Sequence, residues 1–213
     1  MAIDAFEAMW NDTHSRFSLD ERRVYATGFS GGARAAVGLA VRCQGCIAGV
    51  IASGAGFHSE SAVSRNLPFI FFAVVGTDDF NFPELKELEN KLIKVGLTHR
   101  LAVFPGEHEW LSTEVASEAI GWMELEAMKG GRREKDPNLI ESVWQARLTA
   151  AQTLADSGRQ YEAYRDYQAM SSSFSGLKDV TVITEKVAQL RENKVVKNPS
   201  ARKSRRLTNN AHY

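Results

Sequence analysis

Seven consecutive residues, Phe69-Ile70-Phe71-Phe72-Ala73-Val74-Val75, are apolar at every position. Successive side chains of a strand point to opposite faces, so this run leaves no face to turn toward water. A strand buried on both faces belongs inside a parallel sheet covered by helices. The surrounding sequence agrees. Residues 23–27, 46–52 and 101–104 are further β-prone runs, and residues 31–41, 83–95 and 113–129 carry helical patterns. The 83–95 segment opens on Pro83, shows Leu85, Leu88, Leu92 and Val95 as its stripe, and stops at Gly96. Strands and helices alternating through short connections predict βαβ units with right-handed crossovers. The expected fold class is therefore α/β, with a parallel sheet of about four strands. Ahead of it, residues 2–10 read as an amphipathic helix with Ile3, Phe6, Met9 and Trp10 on one face, and residues 11–20 as a polar, turn-rich stretch.

The character changes after Gly130-Gly131-Arg132-Arg133. Residues 139–156, 161–172 and 180–193 are helical patterns with no strand between them. The spacing of Trp144, Leu148, Ala151 and Leu154, then Tyr161, Tyr164 and Tyr167, predicts packed antiparallel helices. The expected organisation is an α/β domain over 1–129, a linker over 130–138, an all-helical appendage over 139–193 and a basic, disordered tail over 194–213. The turn around Ser157-Gly158-Arg159 resembles that of a tetratricopeptide-like hairpin, although one hairpin is too few for a repeat array. The tail carries Lys194, Lys197, Arg202, Lys203, Arg205 and Arg206 and reads as a solvated end rather than a tether.

Composition narrows the function classes. Lys plus Arg and Asp plus Glu number 26 each, giving a net charge of zero. That balance argues against a nucleic-acid protein and gives no attraction to an anionic membrane surface. The longest apolar stretch, residues 68–75, is far too short to span a bilayer. No basic segment followed by an apolar one marks a signal peptide at the N-terminus, and the compartment stays open. Cys43 and Cys46 stand in C-x-x-C spacing without a second pair or nearby histidines to complete a zinc site, and read as structural or incidental thiols. No metal and no cofactor is expected.

Three segments carry chemistry. Gly28-Phe29-Ser30-Gly31-Gly32 is a G-x-S-x-G sequence between a predicted strand and a predicted helix. A serine on so sharp a turn projects its hydroxyl above the sheet edge, and the crowding there leaves room only for glycine at the flanks. The first helical turn behind it offers free N–H groups to a developing oxyanion, with the Gly31 N–H as the expected donor. The second segment is Gly76-Thr77-Asp78-Asp79-Phe80, directly after the most apolar run. It brings a carboxylate, Asp78 or Asp79, to the same sheet edge. The third is Gly106-Glu107-His108-Glu109-Trp110, after the fourth strand. A histidine there is free to reach over that edge, whereas His14, His58, His99 and His212 are expected on the surface or in loops.

The order Ser, Asp, His, each at the end of a successive strand, resembles the α/β-hydrolase superfamily. The chain is most similar to lidless esterases of the dienelactone hydrolase, polyhydroxybutyrate depolymerase and feruloyl esterase type, over residues 1–129. The resemblance implies a Ser30, His108 and Asp79 triad, Asp79 being favoured because the family's acid stands three residues after the strand-ending glycine. It implies an acyl-enzyme, and an exposed site for small-molecule or polymeric esters, since only a short loop over residues 56–67 stands where many relatives carry a lid. It also implies that four strands precede the first one here, so the chain is expected to be the C-terminal half of the sheet and a piece of a longer protein. Its first strand would then be an unpaired edge open to self-association. Two other readings stand beside the esterase: a peptidase on the same core, and an inactive hydrolase-like module that binds proteins through its helical end.

Overall fold

The computed structural model describes residues 2–58 and 63–197. They form two compact units, Met1–Ala119 and Ile120–Tyr213.

The first unit opens with helix α1 (Ala2–Arg16), which runs beyond the residue 10 expected from its apolar stripe. Its polar second half stays helical because the side chains bond back along the axis. Thr13 and Ser15 hydroxyls donate to the Met9 and Asp12 carbonyls, and Arg16 pairs with Asp12 one turn earlier. A 3₁₀ turn over Glu21–Arg23 follows, capped by the Asp20 carboxylate, which accepts the Arg22 N–H. That turn takes up Arg23, so β1 spans Tyr25–Phe29 and begins two residues later than expected. Then come α2 (Gly31–Arg42), β2 (Gly49–Ser53), β3 (Ile70–Gly76), α3 (Phe82–Val95) and β4 (His99–Phe104), followed by the first turns of α4 (Thr113–Lys129). His99 thus lies in a strand, and His14 is half-buried on α1 with its Nδ1 against the Trp10 carbonyl, so neither is a loop histidine. His58 is exposed, and His212 lies outside the described residues.

The four strands are all parallel, in the order β1-β2-β3-β4. Gly28 stands opposite Ala52, Ser53 opposite Val74 and Gly76 opposite Phe104, so the C-terminal ends of the strands line up along one edge. As the sequence predicts, β3 is buried on both faces. Phe71, Ala73 and Val75 enter a cluster with Ala33, Ala36, Val37 and Ala40 of α2 and Leu85, Leu88 and Leu92 of α3. Phe72 and Val74, pointing the other way, are equally inaccessible. The α2 side of the cluster is all small residues, which lets that helix lie close on the strands. Helix α3 ends at Gly96 with φ 69°, a left-handed conformation in which glycine carries no Cβ penalty. Among the described residues β1 and β4 are the edges of the sheet.

The cysteines are not separate thiols: Cys43 and Cys46 form a disulfide with a Cα–Cα distance of 5.5 Å. Cys43 caps α2, and Gln44 and Gly45, both at positive φ, reverse the chain so that Cys46 returns to it. Spacing alone does not show this reversal.

The second unit takes the remainder of α4 with α5 (Pro137–Asp156), α6 (Gln160–Phe174), α7 (Thr181–Arg191) and the single turn α8 (Lys194–Lys197). Asp136 caps α5 by accepting the Asn138 and Leu139 N–H groups, with Pro137 in the first turn. Three residues, with Gly158 at φ 77°, link α5 to α6, and such short connections join antiparallel neighbours. Ala151 and Ala163, both fully buried, allow these helices to approach. Trp144, Tyr167, Met170, Phe174 and Ile183 fill the core beside them, with Trp144 edge-on to Phe174 at 5.0 Å. The expected tail begins differently, since residues 194–197 are helical and Val196 is buried. Its remaining residues, 198–213, lie outside the described residues. No described helix is long and apolar enough to cross a membrane.

Candidate active site

Four strand ends and the loops that leave them build the site. At the end of β1 the chain turns through Ser30, whose φ of 52° and ψ of −118° lie where non-glycine residues rarely go. Strain of this kind persists only where the surroundings enforce it. Here the Ser30 N–H donates to the Ser53 carbonyl at 2.8 Å, tying the turn to β2, and the Ser30 carbonyl accepts from Ala33 and Arg34 as α2 begins. The turn closes so tightly that a Cβ on Gly28 would stand 2.2 Å from the Gly32 carbonyl oxygen. Gly31 occupies the first turn of α2, where N–H groups have no intrahelical acceptor.

The loops after β3 and β4 are stitched together. The Thr77 and Asp78 N–H groups donate to the Phe104 and Gly106 carbonyls, each at 2.9 Å. A Cβ on Gly76 would meet the Glu107 carbonyl oxygen at 2.3 Å, so only glycine admits this crossing. The stitching directs the two neighbouring aspartates apart. Asp78 is exposed and accepts from the Thr77 hydroxyl at 2.9 Å. Asp79 is 4% exposed. Both of its carboxylate oxygens lie 3.0 Å from His108 Nδ1, and Oδ1 also accepts the Asn81 N–H at 2.7 Å. His108 Nε2 stands 3.0 Å from Ser30 Oγ. A carboxylate only accepts, so the Nδ1–H donates to Asp79 and Nε2 is left to accept the Ser30 O–H. Ser30, His108 and Asp79 thus form one continuous hydrogen-bonded chain, with the acid inaccessible and the histidine side chain 19% exposed.

Further residues, with no role assigned to them by the motifs, shape this chain. Asn81 donates its side-chain N–H to the Gly54 carbonyl at 2.7 Å. Gly54, at φ 67°, lies so close that a Cβ would come 3.0 Å from both His108 Cε1 and Phe29 Cε2. The His108 ring is held between Phe29 and Phe80, at centroid distances of 4.7 and 4.2 Å, and Trp110 meets Phe29 edge-on at 5.7 Å. Phe29, Phe80 and Trp110 stand within the three motif segments and Asn81 directly follows one, whereas Gly54, after β2, lies in none of them. Among the described residues no group of three or more His, Cys, Asp or Glu side chains is arranged to hold a metal ion.

Such a chain can move a proton from a hydroxyl to an imidazole while a buried carboxylate holds the imidazolium. Comparison with known proteins follows the geometry. None of the curated proteins matches the sequence significantly. Among solved structures the chain is similar to S-formylglutathione hydrolase FrmB from Staphylococcus aureus, at 17% identity and a TM-score of 0.47, over 57% of this chain and 59% of that one. It is similar to esterase PE8, at 20% identity and a TM-score of 0.47, over 57% of each chain. It is also similar to a SOBER1 variant from Arabidopsis thaliana, at 15% identity and a TM-score of 0.46, over 58% of this chain and 62% of that one. The chain therefore spans less than two thirds of the length of each. The model of the dienelactone hydrolase family matches residues 2–152, which takes in α1 to α4 with the whole sheet and most of α5. On that match, the chain belongs to the dienelactone hydrolase family.

Proposed function

We propose that the chain is a serine hydrolase that cleaves carboxylic esters through an acyl-enzyme. The observation that carries this reading is the unbroken path from Ser30 Oγ through His108 to Asp79, at 3.0 Å per step. His108 Nε2 takes the hydroxyl proton as Ser30 Oγ attacks the ester carbonyl carbon. The carbonyl oxygen becomes an oxyanion facing the first turn of α2, where the Gly31 N–H donates to it. The tetrahedral intermediate collapses, the ester C–O bond breaks, and the alcohol leaves with the proton from His108. Water then attacks the Ser30 ester with His108 again as base, which releases the acid and restores the serine. Asp79 fixes the histidine tautomer throughout and stabilises the imidazolium. The strained turn at Ser30 supports the same reading, because it holds the hydroxyl clear of the sheet before substrate arrives.

The test is hydrolysis of p-nitrophenyl acetate and butyrate by the purified chain beside Ser30→Ala, His108→Ala and Asp79→Asn. Each variant is expected to lose on the order of a thousandfold or more in kcat/KM. Labelling by a fluorophosphonate is expected for the wild type and not for Ser30→Ala. A wild type that neither turns over nor labels would reduce the triad to inherited geometry.

A further inference from the structure

Four aromatic rings lie side by side at the site: Phe80, His108, Phe29 and Trp110, with successive centroid distances of 4.2, 4.7 and 5.7 Å. They come from three different strand ends, Phe29 closing β1, Phe80 following β3, and His108 and Trp110 following β4. The two outer rings are wasteful by the ordinary rules of burial. Phe80 is 72% exposed and Trp110 is 53% exposed, although each touches the arc on one side. A single exposed apolar residue means little, but two large rings exposed on either side of a catalytic imidazole form a surface aimed at something.

The mechanism above says which part of a substrate meets that surface. The leaving oxygen must come within hydrogen-bond reach of His108 Nε2 to receive its proton. The alcohol portion of the ester therefore passes over the rings around His108, while the acyl portion sits by Ser30 Oγ and the start of α2. Aromatic pairs gain from offset or edge-on contact beyond their area, which an aliphatic group of similar size does not. Resting on the esterase reading, we infer that Phe80 and Trp110 are specificity-determining residues that select carboxylic esters of aromatic alcohols, the phenyl ring of the leaving group lying against this arc. The reaction remains ordinary acyl transfer: the bond from the carbonyl carbon to the alcohol oxygen breaks, and that oxygen takes the proton that His108 removed from Ser30.

The experiment compares 2-phenylethyl acetate with 2-cyclohexylethyl acetate. The leaving oxygens are alike, and the cyclohexyl group is the larger and more hydrophobic. Burial of apolar area alone thus favours the cyclohexyl ester, whereas recognition by rings favours the phenyl one. For the wild type the ratio of kcat/KM, phenyl over cyclohexyl, is expected at about three- to tenfold. In Phe80→Leu and Trp110→Leu the ratio is expected to fall toward one or below. Each ratio is taken within one variant, so a general loss of activity or of folded protein cancels. A wild type that is active through Ser30 but shows a ratio of one or less overturns this inference and leaves the esterase reading standing. So does a high ratio that neither substitution lowers. A wild type that cleaves p-nitrophenyl acetate but neither of these esters also overturns this inference alone, whereas a Ser30→Ala variant as active as wild type overturns the esterase reading and this inference with it.

Discussion

One methyl group at position 54 would disturb the site with Ser30, His108 and Asp79 all unchanged. Gly54 sits at φ 67°, where a side chain costs about 1–2 kcal/mol, and its Cβ would come 3.0 Å from His108 Cε1. Gly54→Ala is therefore expected to push the imidazole off the line between Ser30 and Asp79. A misplacement of about 1 Å costs on the order of a hundredfold in rate. The check is kcat/KM for p-nitrophenyl acetate set beside the denaturation midpoint, with the rate falling far more than the small stability loss explains. Position 54 also shows where sequence reading reaches its limit. Ser30, Asp79 and His108 are legible because each ends a strand, and the strand marks the residue. Asp79 parts from Asp78 only through the crossing of two loops, which the family pattern implies but the residues themselves leave open. Gly54, Asn81, Phe29 and Phe80 act through contacts between separate loops, and no local pattern records such contacts.

Among the elements, those with a strong period were the legible ones. The bounds of α3 and β3 fall within one residue of the expected ones, because an amphipathic stripe in the first and an unbroken apolar run in the second override local preference; those of α4 match as well, although its second half is buried on nearly every side and shows no such stripe. The misjudged boundaries lie where polar side chains decide the backbone. The second half of α1 is helical through its own side-chain bonds, and β1 is shortened by the cap at Asp20. That cap carries a pH signature. Arg23, and then Arg22, hold the Asp20 carboxyl well below the usual carboxylate range, at about 2. A group whose pKa is depressed by folding stabilises the fold above its unfolded value, and loses that contribution as pH falls through the folded one. The melting temperature of Asp20→Asn is thus expected to lie below that of wild type at neutral pH. The gap should close between the ordinary aspartate range and about pH 2. A gap unchanged over that window would remove the ion pairs from the account.

For the molecule as a whole, the alternation of strand and helix gave the parallel sheet, and its loss after residue 130 gave the helices. The spacing also marked Leu85, Leu88 and Leu92 in the first core and Trp144, Ala151 and Tyr167 in the second, and what it did not give was how the buried side chains would face one another. In the second unit that is a matter of facing volumes, fully buried Ala151 and Ala163 beside Trp144, Tyr167 and Phe174. Phe174 packs edge-on against Trp144, so Phe174→Ala should remove both an aromatic contact and its volume. A loss of about 3–5 kcal/mol is expected, read as faster amide hydrogen exchange across α5, α6 and α7. Unchanged exchange there would mean that these helices do not depend on one shared core.

The strand order β1-β2-β3-β4 has a consequence in time. Each strand pairs with the one made just before it, so the sheet can grow in step with the ribosome, closing only modest loops on the way. The site cannot grow in that manner. Asp79 and His108 are 29 residues apart, and His108 and Ser30 are 78. A nascent chain that ends after β3 holds the serine and the acid but nothing to connect them, and its hydroxyl is no more reactive than any other. His108 follows β4, the last strand of the described sheet, so on the proposed mechanism the base is the last of the three to be made.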